Sequence, residues 1–328
     1  MKIKMSYAEA ILSGFEYVLD TYPECFVLGQ GLWSPWYVGN TMKNLDQKYG
    51  KDRIIDTPVS ESAVTGMAVG ASLVGGRPIV VHPRIDFMLY AMDTIVNQAA
   101  KWSYMTGGQA NPSLVIRGII NRGGEQGAQH SQSLHSWFAH IPGLRVVMPY
   151  SVQDARDLFI ASVLSKDPVV FIDDRWLYEN QDSIELRDAK DINSFEPKII
   201  KLGTDLTIIG TSYSVDLALQ VEKFLKKDDI NAEVIDIRVI NPLKVERILE
   251  SVKKTNKLCV IDGGWKNSGF SAEIVARIVE NLDPLHLKSK PLRITLKDSP
   301  APTPTNLEKF YYPNVESIVN SIKDNIEF

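Results

Sequence analysis

Short apolar runs alternate with amphipathic stretches along most of the chain. The first half contains five runs of nearly continuous apolar residues: CFVL, RPIVVH, SLVIRG, LRVVMP and PVVFID. Continuous apolar strands that alternate with helices are typical of a parallel sheet covered by helices on both faces. We therefore predict an α/β domain with a parallel sheet over residues 1–175.

The stretches between these runs carry the signals of helices. Ser6 and Glu9 have the spacing of a capping box, and the apolar residues after them recur at helical spacing. A second helix is predicted to begin at Glu61, a long helix to span residues 87–105, and a further helix to follow Ser151. These helices would connect the predicted strands.

The alternation of apolar runs and amphipathic stretches stops between residues 176 and 198, where the sequence is polar, charged and without periodicity. We interpret this segment as a linker. The alternation begins again with four more apolar runs: DLTIIGTS, AEVIDIRV, KLCVID and PLRITL. A second, smaller α/β domain is therefore predicted over residues 199–328.

Composition and charge narrow the class of protein. Of the 328 residues, 44% are hydrophobic and 23% are charged, which is the profile of a globular protein with a core of its own. The formal net charge of -4 gives no strong attraction to nucleic acid or anionic membrane, and no apolar run approaches the about 18 residues of a membrane span. The two cysteines lie far apart, which excludes a disulfide framework and favours a reducing cytoplasm.

Three histidines, His130, His135 and His140, recur every five residues. Five residues on a helix are about 140° apart, so the three side chains cannot share one face, and we expect no metal site here. Each is more often structural than catalytic in such a context. His130 follows the glycine-rich sequence RGGEQGAQ, so it is the histidine that we expect to line a cleft.

Glu61 allows two interpretations. It follows the extended sequence TPVS at the start of an apolar helix rich in small residues. An acid at a helix start is favourable with the helix dipole alone. The other interpretation is a partly buried carboxylate that takes part in acid–base chemistry.

The order of several longer segments resembles a known family. These segments are RIIDTPVSESAVTGMAVGASLVGGRPIV, AMDTIVNQAAKWSYMTGG, AQHSQSLHSWFAHIPGLRVVMPYSVQDA, EVIDIRVINPL and SGFSAEIVARI. In this order they resemble the beta subunit of the thiamine-diphosphate-dependent component of 2-oxo acid dehydrogenases, over nearly the whole chain. The resemblance implies a pyrimidine-binding transketolase-like domain followed by a transketolase C-terminal domain.

The resemblance also implies roles for four residues. Glu61 matches the glutamate that hydrogen-bonds a ring nitrogen of the cofactor's aminopyrimidine, favouring the imino tautomer that takes the proton from the thiazolium carbon. Phe87 matches the aromatic residue that stacks on this ring, and plain core packing is its other interpretation. Val59 matches a backbone contact to the ring. His130 matches a histidine near the reacting carbon and the acyl acceptor.

The diphosphate end of the cofactor needs a partner. The family holds it through a divalent ion bound by a G-D-G motif, which this sequence lacks. The resemblance therefore implies that an alpha subunit holds the diphosphate and Mg²⁺ in an α₂β₂ assembly, with active sites at the subunit interface. Where the family's potassium-binding loop carries an acidic residue this chain has Ser165, with Asp167 nearby, so a monovalent cation is an open question.

Two places depart from the family pattern. Gln30 stands where an acidic residue is usual, and the stretch after RPIVV, usually rich in aromatic residues, reads from His82 to Asp86 as HPRID. Arg84 and His82 there suggest an acidic or heavily oxygenated substrate, because the guanidinium fork of arginine matches carboxylates and phosphates. A salt bridge of Arg84 with Asp86 or with the partner subunit is the other interpretation.

Three functions are consistent with these features. The first is an enzyme subunit for oxidative decarboxylation of a 2-oxo acid, with transfer of the acyl group to the lipoyl group of a partner acyltransferase. The second is a split transketolase-like or acyloin-forming enzyme that transfers a two-carbon unit to an aldehyde. The third is a non-catalytic scaffold or regulatory homologue, against which the presence of Glu61, Phe87 and His130 argues. The matches to T-P-V-S-E and H-S-Q favour the first.

Overall fold

The computed structural model describes residues 2–34 and 36–328, which form two compact units. The first unit contains the residues through Arg122 together with Trp137–Phe195. The second contains Gly123–Ser136 together with Glu196–Phe328. A short segment from the first half of the sequence is therefore part of the second unit.

The first unit is built on a parallel sheet. Its strands are β1 (Lys2–Ser6), β2 (Cys25–Gly29), β3 (Ile54–Asp56), β4 (Arg77–His82), β5 (Val115–Ile120), β6 (Arg145–Val147), β7 (Val169–Asp174) and β8 (Gln181–Glu185). Six of them lie in the order β6-β7-β5-β4-β2-β3, and all neighbouring pairs are parallel. Every residue of β5 and β7 is buried, as the continuous apolar runs predict for a sheet covered on both faces. The predicted α/β fold is confirmed.

Two of the helices, α1 (Tyr7–Thr21) and α6 (Val152–Leu164), begin with the capping contacts that the sequence predicts. The others are α2 (Leu45–Tyr49), α3 (Glu61–Leu73), α4 (Trp102–Met105), α5 (His135–Ala139), α7 (Tyr213–Leu225), α8 (Glu246–Thr255), α9 (Phe270–Asn281), α10 (Thr305–Tyr311) and α11 (Val315–Asn325). At α1 the Glu9 amide donates to Ser6 Oγ at 3.2 Å and the Ser6 amide donates to Glu9 Oε2 at 2.6 Å, which confirms the capping box. At α6 the Asp154 amide donates to Ser151 Oγ at 3.1 Å.

The long helix predicted for residues 87–105 is wrong. The chain there forms a 3₁₀ segment (Ile85–Ala91), a π-helical segment (Thr94–Ala99) and α4. The 3₁₀ segment packs against Gly118 of β5, where an added Cβ would lie 2.3 Å from Met88 Sδ. Periodicity detects a helical stretch but not this close tertiary packing, which fixes the local winding.

The stretch predicted as a linker, residues 176–198, contains regular structure. β8 pairs antiparallel with β1, and Ile192–Ser194 forms a 3₁₀ turn. In β8 only Ile184 is buried, which explains why the sequence shows no apolar run there. Residues through Phe195 belong to the first unit.

The second unit has a mostly parallel sheet with a switch in strand order. Its strands are β9 (Lys198–Lys201), β10 (Leu206–Gly210), β11 (Ala232–Asp236), β12 (Val239–Asn241), β13 (Leu258–Trp265) and β14 (Leu292–Leu296). Five of them lie in the order β14-β13-β10-β11-β9, and only β9 is antiparallel to its neighbour. The chain runs from β10 to β11 on one side and then to β13 on the other. A topological switch point therefore lies between β10 and β13.

A buried ion pair joins two central strands of the first unit. Arg117 of β5 donates from Nε to Asp173 Oδ1 at 2.9 Å and from Nη2 to Asp173 Oδ2 at 2.7 Å, and both side chains are fully buried. Tyr178 donates to Asp173 Oδ2 at 2.5 Å, and Arg117 Nη1 donates to Thr41 Oγ1 at 2.9 Å. Burial opposes the charge on Arg117, but the Asp173 carboxylate outweighs it and raises the pKa of the guanidinium.

Cys25 and Cys259 are both buried and unbridged. Desolvation raises the pKa of each thiol to about 12. Among the described residues, the helices are too short or too polar to pass through a lipid bilayer.

Candidate active site

A cleft in the first unit lies at the carboxyl ends of parallel strands. β2 ends at Gly29 and β4 ends at His82, and both residues line the cleft. The start of α3, including Glu61, forms another wall, and Phe87 contributes from the 3₁₀ segment. Sites in open α/β sheets lie at this edge. Glu61, His82 and Phe87, all singled out from the sequence, therefore come together.

Glu61 is the first residue of α3 and is partly exposed. Among the described residues, no side chain or backbone group forms a hydrogen bond or ion pair with its carboxylate. The preceding Ser60 does not cap the helix with its side chain. The carboxylate is placed where the helix dipole favours it, and its hydrogen-bonding capacity is available to a ligand.

The walls around Glu61 are mostly apolar. Val64 of α3 and Val80 and Val81 of β4 line the cleft. At its base β2 and β4 approach closely, since an added Cβ on Gly29 would lie 2.3 Å from the Val81 carbonyl oxygen. A flat ring with nitrogen atoms at its edge needs such apolar faces and a single strong acceptor. The residues present fit an aminopyrimidine in that respect.

His82 is buried in the same cleft and is uncharged. Desolvation lowers its pKa from 6.5 to about 4, so the imidazole is neutral at neutral pH. Its Nε2 lies 3.4 Å from Thr65 Oγ1 of α3. His82 therefore offers a neutral hydrogen-bonding group and adds no positive charge.

Arg84 and Asp86 are adjacent to the cleft in sequence, but neither is among the described residues that line it. The guanidinium of Arg84 donates to the Pro83 carbonyl oxygen at 3.0 Å. Burial lowers the pKa of Arg84, with a smaller contribution from the charge of Arg175. The cleft thus contains His82 of the unusual HPRID stretch, while contact of Arg84 with substrate stays a prediction.

The other residues singled out in this region differ in exposure. Phe87 is partly exposed, and its amide donates to the Arg84 carbonyl oxygen at 3.2 Å. The Val59 side chain is 68% exposed, and its neighbours Pro58 and Ser60 line the cleft. Gln30 also lines the cleft, and its Nε2 donates to the Tyr37 hydroxyl at 3.0 Å. A backbone contact from Val59 to a bound ring stays a prediction.

His130 belongs to the second unit. It lies in the segment Gly123–Ser136, and its amide donates to the Gly127 carbonyl oxygen at 3.4 Å. Its side chain is partly exposed. Its predicted role near the reacting carbon stays a prediction.

Sequence reasoning missed a buried cluster in the second unit. His135 Nε2 lies 3.0 Å from Asp262 Oδ1, and His135 Nδ1 lies 3.0 Å from Ser133 Oγ. All three side chains are buried. One signal could have pointed to it: Asp262 follows the apolar run KLCVI, and a carboxylate at the end of a buried strand needs a partner.

Comparisons with known proteins match this arrangement of two units. Residues 3–181 match the family model for the transketolase pyrimidine binding domain, and residues 196–318 match the model for the transketolase C-terminal domain. A solved structure of a split gene transketolase, an inactive beta4 tetramer, has a TM-score of 0.75 with 18% identity and covers 98% of both chains. These matches define the fold class as a transketolase-like pair of domains.

Sequence relatives give the family. A pyruvate dehydrogenase E1 component subunit beta-1, mitochondrial, from Oryza sativa subsp. japonica is 39% identical over 324 residues, covering 98% of this chain and 86% of the rice protein. The pyruvate dehydrogenase E1 component subunit beta from Rickettsia bellii is 36% identical, with 98% of both chains covered. The chain belongs to the family of beta subunits of thiamine-diphosphate-dependent 2-oxo acid dehydrogenases.

Proposed function

We propose that this chain supplies the pyrimidine half of a shared active site, in an enzyme that decarboxylates a 2-oxo acid and passes the acyl group to a lipoyl group. The observation that carries this proposal is the Glu61 carboxylate, which has no partner among the described residues and lines an apolar cleft. The names of the relatives, which are pyruvate dehydrogenase beta subunits, support a 2-oxo acid as substrate.

Each residue of the cleft has a distinct task in this proposal. When bound, thiamine diphosphate supplies the carbon nucleophile and the electron sink for decarboxylation. Glu61 binds the aminopyrimidine edge and holds a proton at its ring nitrogen. Phe87 and the valines at the cleft walls hold the ring flat and exclude water. His82 is neutral, so it orients polar groups without competing for the charge of Glu61.

His130 is proposed to act at a different stage. It is a partly exposed imidazole on a glycine-containing loop, where a proton donor or acceptor near the acyl acceptor can reach solvent. The loop belongs to the second unit, so this proposal does not depend on the geometry of the Glu61 cleft.

The alpha subunit is proposed to hold the diphosphate and Mg²⁺ in an α₂β₂ assembly. The absence of a G-D-G motif from this sequence supports that division. A lipoyl-bearing acyltransferase is the proposed acceptor. We also propose a cytoplasmic location, supported by the two free cysteines. Subcellular fractionation with a membrane and a compartment marker would test the location.

Reconstitution with the alpha subunit tests the proposed reaction. The two purified subunits are mixed with thiamine diphosphate and Mg²⁺ and assayed on a series of 2-oxo acids with an artificial electron acceptor. We expect turnover only with both subunits present, and transfer to a lipoyl domain in a second assay. Two-carbon transfer to an aldehyde without oxidation would instead support the transketolase-like alternative. The absence of bound cofactor and of any turnover in the assembled complex would contradict an enzymatic role.

A further inference from the structure

The segment that carries His130 is attached to the rest of the second unit at both ends. At its start, the Glu125 amide donates to Glu308 Oε1 of α10 at 3.1 Å. The Thr305 hydroxyl, at the beginning of α10, donates to Glu125 Oε1 at 2.8 Å. At its end lie His135 and Ser136. We call Gly123–Ser136 the histidine loop.

The end of the histidine loop is held by polar contacts, of which those of His135 are buried. Ser136 Oγ accepts the Phe270 amide of α9 at 2.9 Å. The imidazole of His135 is enclosed between Asp262 Oδ1 and Ser133 Oγ, each 3.0 Å from a different ring nitrogen. Both ring nitrogens are therefore used within the protein, so His135 is arranged as a structural contact and not as a free acid or base.

Asp262 makes this contact strong. Its Oδ1 also accepts the Gly264 amide at 2.9 Å, and its Oδ2 accepts the Ser271 amide at 2.8 Å. Burial alone would raise the pKa of Asp262, but His135 and the two amides outweigh burial and lower it. A buried carboxylate that stays ionised requires such partners, and the removal of His135 takes away one of the three.

The pair of His135 and Asp262 lies beside a topological switch point of the second unit. Asp262 lies at the carboxyl end of the paired part of β13, next to the switch point between β10 and β13. Ligands of α/β proteins commonly bind at such a point. The His135 ring lies beside Gly264, which permits the close approach because an added Cβ would lie 3.1 Å from His135 Cε1.

The first part of the histidine loop is rich in glycine. Gly123, Gly124 and Gly127 have positive φ angles, of 72°, 64° and 70°. Glycines lose more conformational entropy than other residues when they are ordered. A loop with this composition keeps one conformation only if its ends are fixed.

From these contacts we propose that His135 and Asp262 are positioning residues, which hold the histidine loop so that His130 stays at the place the reaction requires. The inference rests on the role proposed for His130. His135 is five residues from His130, so a shift of the anchored end reaches the imidazole directly. A misplacement of about 1 Å can cost about a hundredfold in rate.

The test uses the enzyme assembled with its alpha subunit, carrying His135→Gln or Asp262→Asn in the beta subunit. We expect amide hydrogen exchange in residues 123–136 to become faster. We expect kcat to fall about tenfold to a hundredfold while KM for the 2-oxo acid stays within about twofold, since the Glu61 cleft is untouched. His286→Gln, at an exposed histidine of the same unit, is the control, and it should change neither the hydrogen exchange of residues 123–136 nor kcat.

Combination with His130→Ala separates this inference from the proposed function. If His135 acts through His130, then His135→Gln adds no further loss of kcat in the His130→Ala enzyme. If the fold losses of kcat from His135→Gln and from His130→Ala multiply in the double variant, the positioning role is overturned. Unchanged kcat and unchanged exchange in His135→Gln would also overturn it, even where His130→Ala is inactive. Full activity of His130→Ala would instead refute the proposed role of His130, and the exchange data would then decide alone whether the anchor exists. If Asp262→Asn fails to fold, His135→Gln carries the test.

Discussion

The first unit contains two carboxylates with opposite surroundings: Glu61 in the cleft and Asp173 in the buried pair with Arg117. Asp173 is fully buried and accepts hydrogen bonds from Arg117 and Tyr178. Glu61 is partly exposed and has no such partner among the described residues. One carboxylate has its hydrogen-bonding capacity used by the fold, whereas the other leaves it available.

The buried basic residues of these two regions, Arg117 and His82, also differ in whether a partner compensates their charge. Arg117 keeps its charge in the interior because Asp173 compensates it. His82 is buried beside the Thr65 hydroxyl and forms no ion pair within the described part of the chain, so burial lowers its pKa to about 4. Burial alone therefore does not determine charge, since the partner decides whether a buried group is ionised.

Glu61→Gln should have the largest effect on activity. The amide keeps the shape of the side chain but cannot hold a proton as a carboxyl group does, so turnover should fall about a thousandfold or more. Steady-state assays of the assembled enzyme, with a melting temperature to show an intact fold, measure this. Glu9→Gln is the matched control, because glutamine also completes a capping box at a helix start. Full activity in Glu61→Gln would contradict the catalytic role proposed for the Glu61 carboxylate.

Asp173→Asn should instead reduce stability. The substitution leaves the Arg117 guanidinium buried without its counter-charge, which costs about 3–5 kcal/mol in such pairs. Chemical denaturation of the purified beta subunit measures the loss. Glu185→Gln, which breaks an exposed pair with Arg187, should leave the free energy of unfolding nearly unchanged, because solvent screens that pair. Equal effects of the two variants would contradict the structural role assigned to the buried pair.

The burial of neutral His82 should make the stability of the fold depend on pH. Its pKa is about 4 in the fold against an ordinary 6.5, so the unfolded chain binds the proton more readily. Stability should be complete above pH 6.5 and decline as the pH falls toward 4, by about 2 kcal/mol at about pH 5. Denaturation curves at several pH values, for the natural chain and for His82→Gln, isolate the contribution. An identical acid dependence in both proteins would show that His82 is not buried in its neutral form.

Arg84→Ala should have the smallest effect of the four. If Arg84 binds an acidic or oxygenated group of the substrate, kcat/KM should fall about tenfold, equivalent to about 1.4 kcal/mol. The assay uses the best 2-oxo acid from the substrate screen, with Lys101→Ala as a control for loss of a positive charge elsewhere in the unit. An unchanged kcat/KM would contradict contact of Arg84 with the substrate and assign Arg84 to structure.

Much of the fold could be predicted because the parallel strands are buried on both faces. β4 was predicted from its apolar run over the same residues that form it, RPIVVH, and α3 begins at Glu61 as its pattern indicates. β8 escaped prediction because an edge strand with one buried residue has no apolar signature. The segment after Phe87 departs from a single helix because close packing on Gly118 determines its winding, which no local pattern encodes.

The candidate site could be predicted only in part. The resemblance pointed to Glu61 and Phe87, and the structure brings both into one cleft with His82. The partners His135 and Asp262 are 127 residues apart in sequence, so no spacing rule connects them. A general signal was present for Arg117 and Asp173: each is a charged residue that adjoins an apolar run within a buried strand, and each needed a counterpart on a neighbouring strand.

The two buried cysteines have a practical consequence for experiments on this protein. At neutral pH a thiol with a pKa near 12 is almost entirely protonated, and both side chains are inaccessible to reagents. A cysteine introduced at the exposed position Ala128 would then be the thiol that reacts with a fluorophore or a spin label. The natural chain is thus a ready background for site-directed spectroscopy of the histidine loop.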